Sequence, residues 1–362
     1  MISFIAPFLV SLLVTVLTTP LAVLFANKFK LVDDPKKRPH PAHVQNRAVP
    51  RAGGLPIFLG ILVAVLLFIP TDKYIIGILL SISLLLAVGL IDDFLTNFSP
   101  YPRLILQFFA AAIVVASGVG ITFITNPLGG ILMLDQFVIP INFLGLHNII
   151  VIADLLAFLW IVWVMNMINW SKGVDGQMPG IIFVAALVIG WVSYQAFLKG
   201  DPHQLYIGYL GFITAGASLG FLFFNWYPAK IFPGFSGSTI LGFMIATLCI
   251  LTSAKLATAL LVLLIPSIDS IYTIARRIAS GKSPFRGDRQ HLHHLLLERG
   301  WSHQKISLFY ISSCAILGLV AVNLSSEGKL FTVIGVGIII LGFLLWLHFF
   351  GHYLGRQDPD NG

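Results

Sequence analysis

Charge and cysteine are what this chain has little of. Of its 362 residues only 10% are charged, with 15 Asp and Glu against 22 Lys and Arg, and only two, Cys249 and Cys314, are cysteines. Both cysteines fall inside apolar runs, which excludes a disulfide framework and a cysteine metal site. So small a charged fraction cannot cover the surface of a water-soluble enzyme of this length. The net charge of +7 would suggest nucleic acid in a soluble chain; here it has to be read loop by loop against a bilayer. What the chain has instead is apolar length. Hydrophobic residues make up 57% of it, and runs of about 20 apolar positions, enough to cross a bilayer as a helix, recur from end to end.

An all-α polytopic membrane protein is therefore expected, with about eleven transmembrane helices at 3–27, 53–70, 74–91, 103–124, 148–168, 180–198, 205–224, 238–252, 256–275, 306–323 and 330–351. The first run is too long for a signal peptide and lacks a basic start and a small-residue cleavage site. With the N-terminus outside and the C-terminus cytoplasmic, 18 of the 22 Lys and Arg residues fall in inside loops, and Lys73, Lys199, Lys255 and Lys329 remain outside. That asymmetry has the sign expected of cytoplasmic loops. Residues 1–355 read as a single transmembrane unit and 356–362 as a polar tail. Among the outside segments only 125–147 is long, and its turn residues and β-branched run predict a small external β-hairpin. Asp154 is the one acid expected within a span, and no string of buried charges marks an ion path.

Three polar knots interrupt the apolar runs on the expected cytoplasmic face. Asp92 and Asp93 close the third run; adjacent carboxylates at a membrane boundary need water, a cation or a donor, so they read as a magnesium or phosphate site or as a solvated helix end. In the stretch Asn166 to Gly176, Gly173 and Gly176 permit tight turns, while Asn166, Asn169 and Asp175 supply oxygens suited to a hydroxyl-rich or metal-bound ligand. A helix C-cap and turn explains the same residues equally well. From Asn225 to Ser238, glycines and serines precede a helix; they could offer N–H groups to an anion or merely cap it. The last basic loop holds Arg276, Arg277, Arg289, His291, His293 and His294, a set that suits a diphosphate or, on charge alone, anionic lipid. Its histidine spacing is too tight for a zinc site.

Taken together, Leu31–Arg38, Pro50–Gly54, Gly89–Asp93, Asn166–Gly176, Asn225–Gly242, Pro266–Asp269, Arg276-Arg277 and Asp288–His294 resemble the polyprenyl-phosphate N-acetylhexosamine-1-phosphate transferases of the glycosyltransferase family 4 type. The motifs follow the family's order over nearly the whole chain. The span count and the His-Leu-His-His form are closest to its undecaprenyl-phosphate GlcNAc-1-phosphate branch. The resemblance implies a reaction at the cytoplasmic face of the cell membrane, in the building of a cell-envelope polysaccharide. A polyprenyl phosphate attacks the β-phosphate of a UDP-sugar, giving a polyprenyl diphospho-sugar and UMP. It also implies Mg2+ as cofactor and a homodimer. Asp92 and Asp93 would be catalytic, at the lipid phosphate and the metal, with Asp175 as a third metal ligand. Asn169, Asp175, Asn225 and Arg51 would bind substrate, with His291, His293, His294 and Arg289 at the diphosphate-sugar; Lys172, which is not the family's residue, would bind it through its own charge. Such a reaction is chiefly positioning and charge neutralisation, which is why it needs these residue types.

Two positions depart from the family pattern. Lys172 replaces the first aspartate of Asn-x-x-Asn-x-x-Asp-Gly-x-Asp-Gly, and Phe235 replaces the metal-ligand aspartate of Gly-Asp-x-Gly-Ser. A more variable acidic position is Thr96 or Asn97, while Gly173, Gly176, Gly234, Gly237 and Ser238 hold the register. Phenylalanine cannot coordinate magnesium, and fewer oxygen ligands weaken a hard cation. Lysine can neutralise a phosphate as a point charge. The expectation is therefore either a working transferase with weakened or absent metal, or a catalytically impaired relative that binds polyprenyl phosphate or a partner without turnover.

Overall fold

An apolar run in a bilayer has to satisfy its own backbone hydrogen bonds, and a helix does so within the segment. The computed structural model of the chain describes residues 2–35, 45, 47–95, 99–126, 130–140, 148–252, 255–283 and 288–350. The arm at Lys36–Arg38, Thr96, Asn97 and the tail 356–362 lie outside them. In chain order the elements are α1 (Ile2–Lys28), β1 (Val32–Asp33), β2 (Val49–Pro50), α2 (Gly54–Phe68), α3 (Lys73–Phe94), α4 (Pro100–Ala116), β3 (Phe123–Thr125), β4 (Ile131–Met133), β5 (Val138–Ile139), β6 (Ile149–Ile150), α5 (Val151–Trp170), α6 (Gln177–Leu198), α7 (Gln204–Asn225), α8 (Gly234–Leu251), α9 (Lys255–Val262), α10 (Leu264–Ala279), α11 (Leu292–Leu297), α12 (His303–Asn323) and α13 (Ser326–Phe349).

Among the described residues, eight helices are long and apolar enough to cross a membrane: α1, α3, α5, α6, α7, α8, α12 and α13. Two shorter apolar helices, α2 and α4, fall on the second and fourth expected runs. The ninth run is corrected: instead of one helix over 256–275 it is α9 and α10, bent by 80°. Pro266 explains the break, because its ring excludes the carbonyl four residues earlier, that of Val262, which is the last residue of α9. The hairpin expected in 125–147 is present and begins slightly earlier, with Phe123–Thr125 antiparallel to Ile131–Met133. A second short ladder pairs Val138–Ile139 with Ile149–Ile150. The ladder of β1 with β2 was not legible, since each strand has only two residues.

The centre of the bundle is α8, buried continuously from Gly234 to Cys249. A helix apolar all round is one enclosed by others, and α2, α3, α5, α6, α7 and α9 all pack on it. Small residues let the backbones close in. A Cβ on Gly89 of α3 would collide with the Ser236 backbone, and one on Gly54 of α2 with the Ser236 side chain. A Cβ on Gly242 would lie 2.9 Å from Met165 Cα of α5. At the periphery, Leu9, Leu13, Leu17, Leu21 and Leu24 of α1 form an exposed stripe, as do Phe331, Ile334 and Ile338 of α13. Water would penalise such stripes, whereas acyl chains do not.

Helix α1 lies along α7, where the Ser11 hydroxyl donates to Ile213 O at 2.8 Å and Gly216 sits against the Phe8 carbonyl. Gly216→Val should force the two helices apart at a cost of about 1–3 kcal/mol. The expected reading is a lower Tm in detergent; an unchanged Tm would contradict this packing.

Candidate functional site

Gly89 and Asp93 are four residues apart on α3 and so share a face. Because Gly89 touches Ser236, Asp93 lands on the first turn of α8. There the Phe235 N–H donates to Oδ1 at 3.1 Å, the Ser236 hydroxyl donates to Oδ2 at 3.1 Å, and Arg51 Nη2 lies 3.0 Å from Oδ1. Gly234 has φ +68°, and a side chain there would run into the Asp93 carboxylate. The helix start that the sequence offered to an anion is thus occupied by the chain's own carboxylate. Asp92 has a different partner, with Arg103 Nε 2.5 Å from its Oδ1. Arg103 entered the sequence reading only as a loop charge; nothing local marks it, because its partner comes from the preceding helix.

The turn after α5 approaches the same place. The Lys172 ammonium donates to Gly234 O at 3.0 Å and to Ser238 Oγ at 3.4 Å, and the Ser238 hydroxyl donates to Asn169 Oδ1 at 2.8 Å. Phe235 is buried, with Arg103's guanidinium carbon 5.5 Å and Lys172 Nζ 6.0 Å from its ring centroid. Both lie in the range where a cation is drawn to an aromatic face. Burial, then the charge of Arg51, lowers the Lys172 pKa to about 8, so it remains mostly protonated at pH 7. Asn166 is committed elsewhere, its amide donating to Gln107 Oε1 and to Val162 O, both at 2.8 Å.

Asp175 and Asn225 stitch the same turn to the loop after α7. Asp175 Oδ2 accepts the Ala229 N–H at 2.9 Å, with Arg47 Nη2 and His303 Nδ1 each 3.9 Å from its carboxylate oxygens. Asn225 Oδ1 accepts the Gly176 N–H at 3.1 Å, and its amide donates to Ile231 O at 2.9 Å. Irregular backbone buried in this way needs such partners. Among the described residues no group of three or more His, Cys, Asp or Glu side chains is gathered to hold a metal ion. Asp92 is held by Arg103, Asp93 by Arg51 and the start of α8, and Asp175 by the Ala229 N–H.

The histidines come in from α11. His293 packs on Gly173, where an added Cβ would strike the imidazole. Its ring stacks on His291 with centroids 5.6 Å apart and lies 4.3 Å from that of His294. Burial drives the His293 pKa well below the ordinary value, and burial followed by His291 and Arg289 takes His294 to about 4. Both are neutral at pH 7. Arg289 itself is exposed, whereas Arg276 and Arg277 are spent on Asp288, at 2.6 and 3.1 Å. Asp269 of α10 fixes this cluster: Oδ2 lies 3.0 Å from His291 Nδ1, and Oδ1 accepts the Leu292 N–H at 2.8 Å. This corrects the expectation that Asp154 is the one acid within a span. The missed signal was an acid in the middle of an apolar run, which marks function or a partner by default. Asp154 instead serves the start of its own helix, accepting the Ile150 N–H at 2.8 Å.

The three knots and the histidines therefore meet. Asp93 touches Phe235, Lys172 touches Gly234, Gly173 touches His293, and Gly176 touches Asn225. Cavities of about 830 and 700 Å³ lie at the far ends of α6 and α8, away from this cluster.

Asp269→Ala should cost about 1–3 kcal/mol, because it strands the buried Leu292 N–H, while Asp269→Asn can keep that bond and should cost less. Thermal unfolding of the pair checks the order. His294, with its folded pKa depressed to about 4 from 6.5, contributes stability that is whole above pH 6.5 and lost as pH falls toward 4. The fall in Tm over that window should be shallower in His294→Gln; equal slopes would remove His294 from the effect.

Residues 75–253 match the sequence profile of glycosyl transferase family 4. The chain is 30% identical over 348 residues to a protein named probable undecaprenyl-phosphate N-acetylglucosaminyl 1-phosphate transferase of Bacillus subtilis, with 94% of this chain and 90% of that one covered. It is 30% identical over 372 residues to the decaprenyl-phosphate N-acetylglucosaminephosphotransferase of Mycobacterium leprae, covering 93% and 86%. To the undecaprenyl-phosphate alpha-N-acetylglucosaminyl 1-phosphate transferase of Pasteurella multocida it is 31% identical over 366 residues, covering 96% and 94%. With its apolar helices and these relatives along almost its full length, the chain is a multi-pass membrane protein that belongs to the polyprenyl-phosphate N-acetylhexosamine-1-phosphate transferase family.

Proposed function

We propose that the chain transfers a sugar 1-phosphate, GlcNAc-1-phosphate or that of a related N-acetylhexosamine, from a UDP-sugar to a polyprenyl phosphate at the cytoplasmic membrane face. The observation that carries this reading is the meeting of Asp93, Lys172, Asn225 and His293, which are scattered along the sequence, around the first turn of α8. Relatives matched over most of their length are named as N-acetylglucosaminyl 1-phosphate transferases or phosphotransferases of undecaprenyl or decaprenyl phosphate. In the reaction an oxygen of the lipid phosphate attacks the β-phosphorus of the donor. The bond from that phosphorus to the bridging oxygen breaks, and UMP leaves with the oxygen. Lys172, Arg51 and Arg103, which lie together around Asp92, Asp93 and Gly234, would offset the phosphate charge. His293 and His294, being neutral, would meet the diphosphate-sugar as hydrogen-bond partners rather than as cations.

Eleven crossings with the N-terminus outside suit this site, since they place Arg47, Arg51, Arg103 and Lys172 on the cytoplasmic side and Lys199 and Lys329 outside. Magnesium, the cofactor the resemblance implies, fits this donor set poorly. Phe235 offers no ligand, both oxygens of Asp93 are engaged, and Asp92 is paired with Arg103.

A second reading, binding of polyprenyl phosphate without turnover, is favoured by that same commitment of Asp92 and Asp93 to arginines. The purified protein in lipid vesicles, given undecaprenyl phosphate and radiolabelled UDP-GlcNAc, should form a labelled lipid diphospho-sugar and an equal amount of UMP. No product from UDP-GlcNAc or from other UDP-N-acetylhexosamines would leave the second reading standing.

A further inference from the structure

The two residues that depart from the family pattern are neighbours in space. Lys172 Nζ is 6.0 Å from the Phe235 ring centroid and is tethered beside it by Gly234 O and Ser238 Oγ. Arg103 lies at 5.5 Å from the same ring. A phenylalanine alone would merely remove a ligand. A phenylalanine with an ammonium and a guanidinium against its ring replaces the charge that the lost ligand would have gathered.

Three cations, Arg51, Arg103 and Lys172, surround Asp92 and Asp93, and Asp33 acts on Arg51 from β1. Three positive charges against three negative ones leave no surplus to attract a divalent ion. Magnesium asks for near-octahedral oxygen coordination. Here Asp93 Oδ1 receives Arg51 and the Phe235 N–H, Oδ2 receives the Ser236 hydroxyl, and Asp92 Oδ1 faces Arg103. A divalent ion drawn to Asp93 Oδ1 or Asp92 Oδ1 would compete there with an arginine and sit near Lys172. A phosphate group meets the opposite situation. Two guanidiniums, 19% and 34% exposed, and a tethered ammonium can each donate to its oxygens.

We propose that this chain binds the diphosphate of its substrate without a divalent cation, with the Lys172 ammonium and Arg103, packed against Phe235, standing where relatives of this type gather a metal. The inference rests on the transfer reading only for the identity of the ligand; metal-free diphosphate binding is measured apart from turnover.

The test is calorimetric titration of the full-length protein in detergent with inorganic pyrophosphate and with UDP-GlcNAc, in EDTA and again in excess magnesium. Binding of pyrophosphate in EDTA should match that in magnesium within about threefold, less than the effect of one charge-assisted hydrogen bond. Lys172→Met should weaken pyrophosphate binding about tenfold or more, and Lys172→Arg should retain it. Should Lys172→Met fail to fold, Arg103→Gln asks the same question of the other cation. Manganese titrated in place of magnesium should show no protein-bound signal by electron paramagnetic resonance. Binding lost in EDTA and restored by magnesium, a bound manganese signal, or no pyrophosphate binding under either condition would overturn the proposal. Metal-free pyrophosphate binding without lipid-linked product would instead overturn the transfer reading and leave this one intact.

Discussion

The close approach of α3 to α8 at Gly89 and Ser236 is the contact on which the site depends. A side chain at residue 89 would separate the two helices. With them in contact, the carboxylate one turn further along α3 reaches the Phe235 N–H and the Ser236 hydroxyl at the start of α8. Hydrogen bonding, the helix dipole and Arg51 all favour the same position for Asp93. The φ of Gly234 then brings its carbonyl to Lys172, and Lys172's neighbour Gly173 makes room for His293. One helix–helix contact thus orders residues drawn from four separate stretches of sequence.

A second constraint is the cost of charge in an apolar protein. Buried or half-buried ions are costly unless paired, and four carboxylates of this region each have a partner. Asp92 has Arg103, Asp93 has Arg51, Asp269 has His291, and Asp288 has Arg276 and Arg277. Such pairing serves structure as much as chemistry. Asp175 shows the difference: by motif it belongs with the carboxylates, yet in space it holds the Ala229 N–H and ties down the loop after α7. Removing an acid from this region and putting a lysine in its place changes which ions the remaining carboxylates can accept.

Most of the helices were legible because apolar length is a property of a run and needs no partner to be recognised. The hairpin near residue 130 was legible from its turn residues for a similar reason, and so were the two odd positions, Lys172 and Phe235, once flanking glycines held the register. The bend at Pro266 was overlooked because hydrophobicity continues through it while the hydrogen-bond ladder does not. Arg103 and Asp269 were missed as site residues because each is identified by a partner distant in the chain or in another helix.

What the sequence by itself determined is therefore class and chemistry. It established an apolar helical bundle, the residue types a phosphate-handling site needs, and two substitutions that alter its charge. Only the tertiary structure decided allegiance: Asp93 to the start of α8, Asp175 to a loop, His291 to Asp269, and Lys172 and Phe235 to each other. The physical reason is range. Hydrophobic periodicity and backbone propensity act over a few residues, whereas an ion pair or a helix cap is fixed by helix packing that brings together residues as far apart as Asp93 and Phe235.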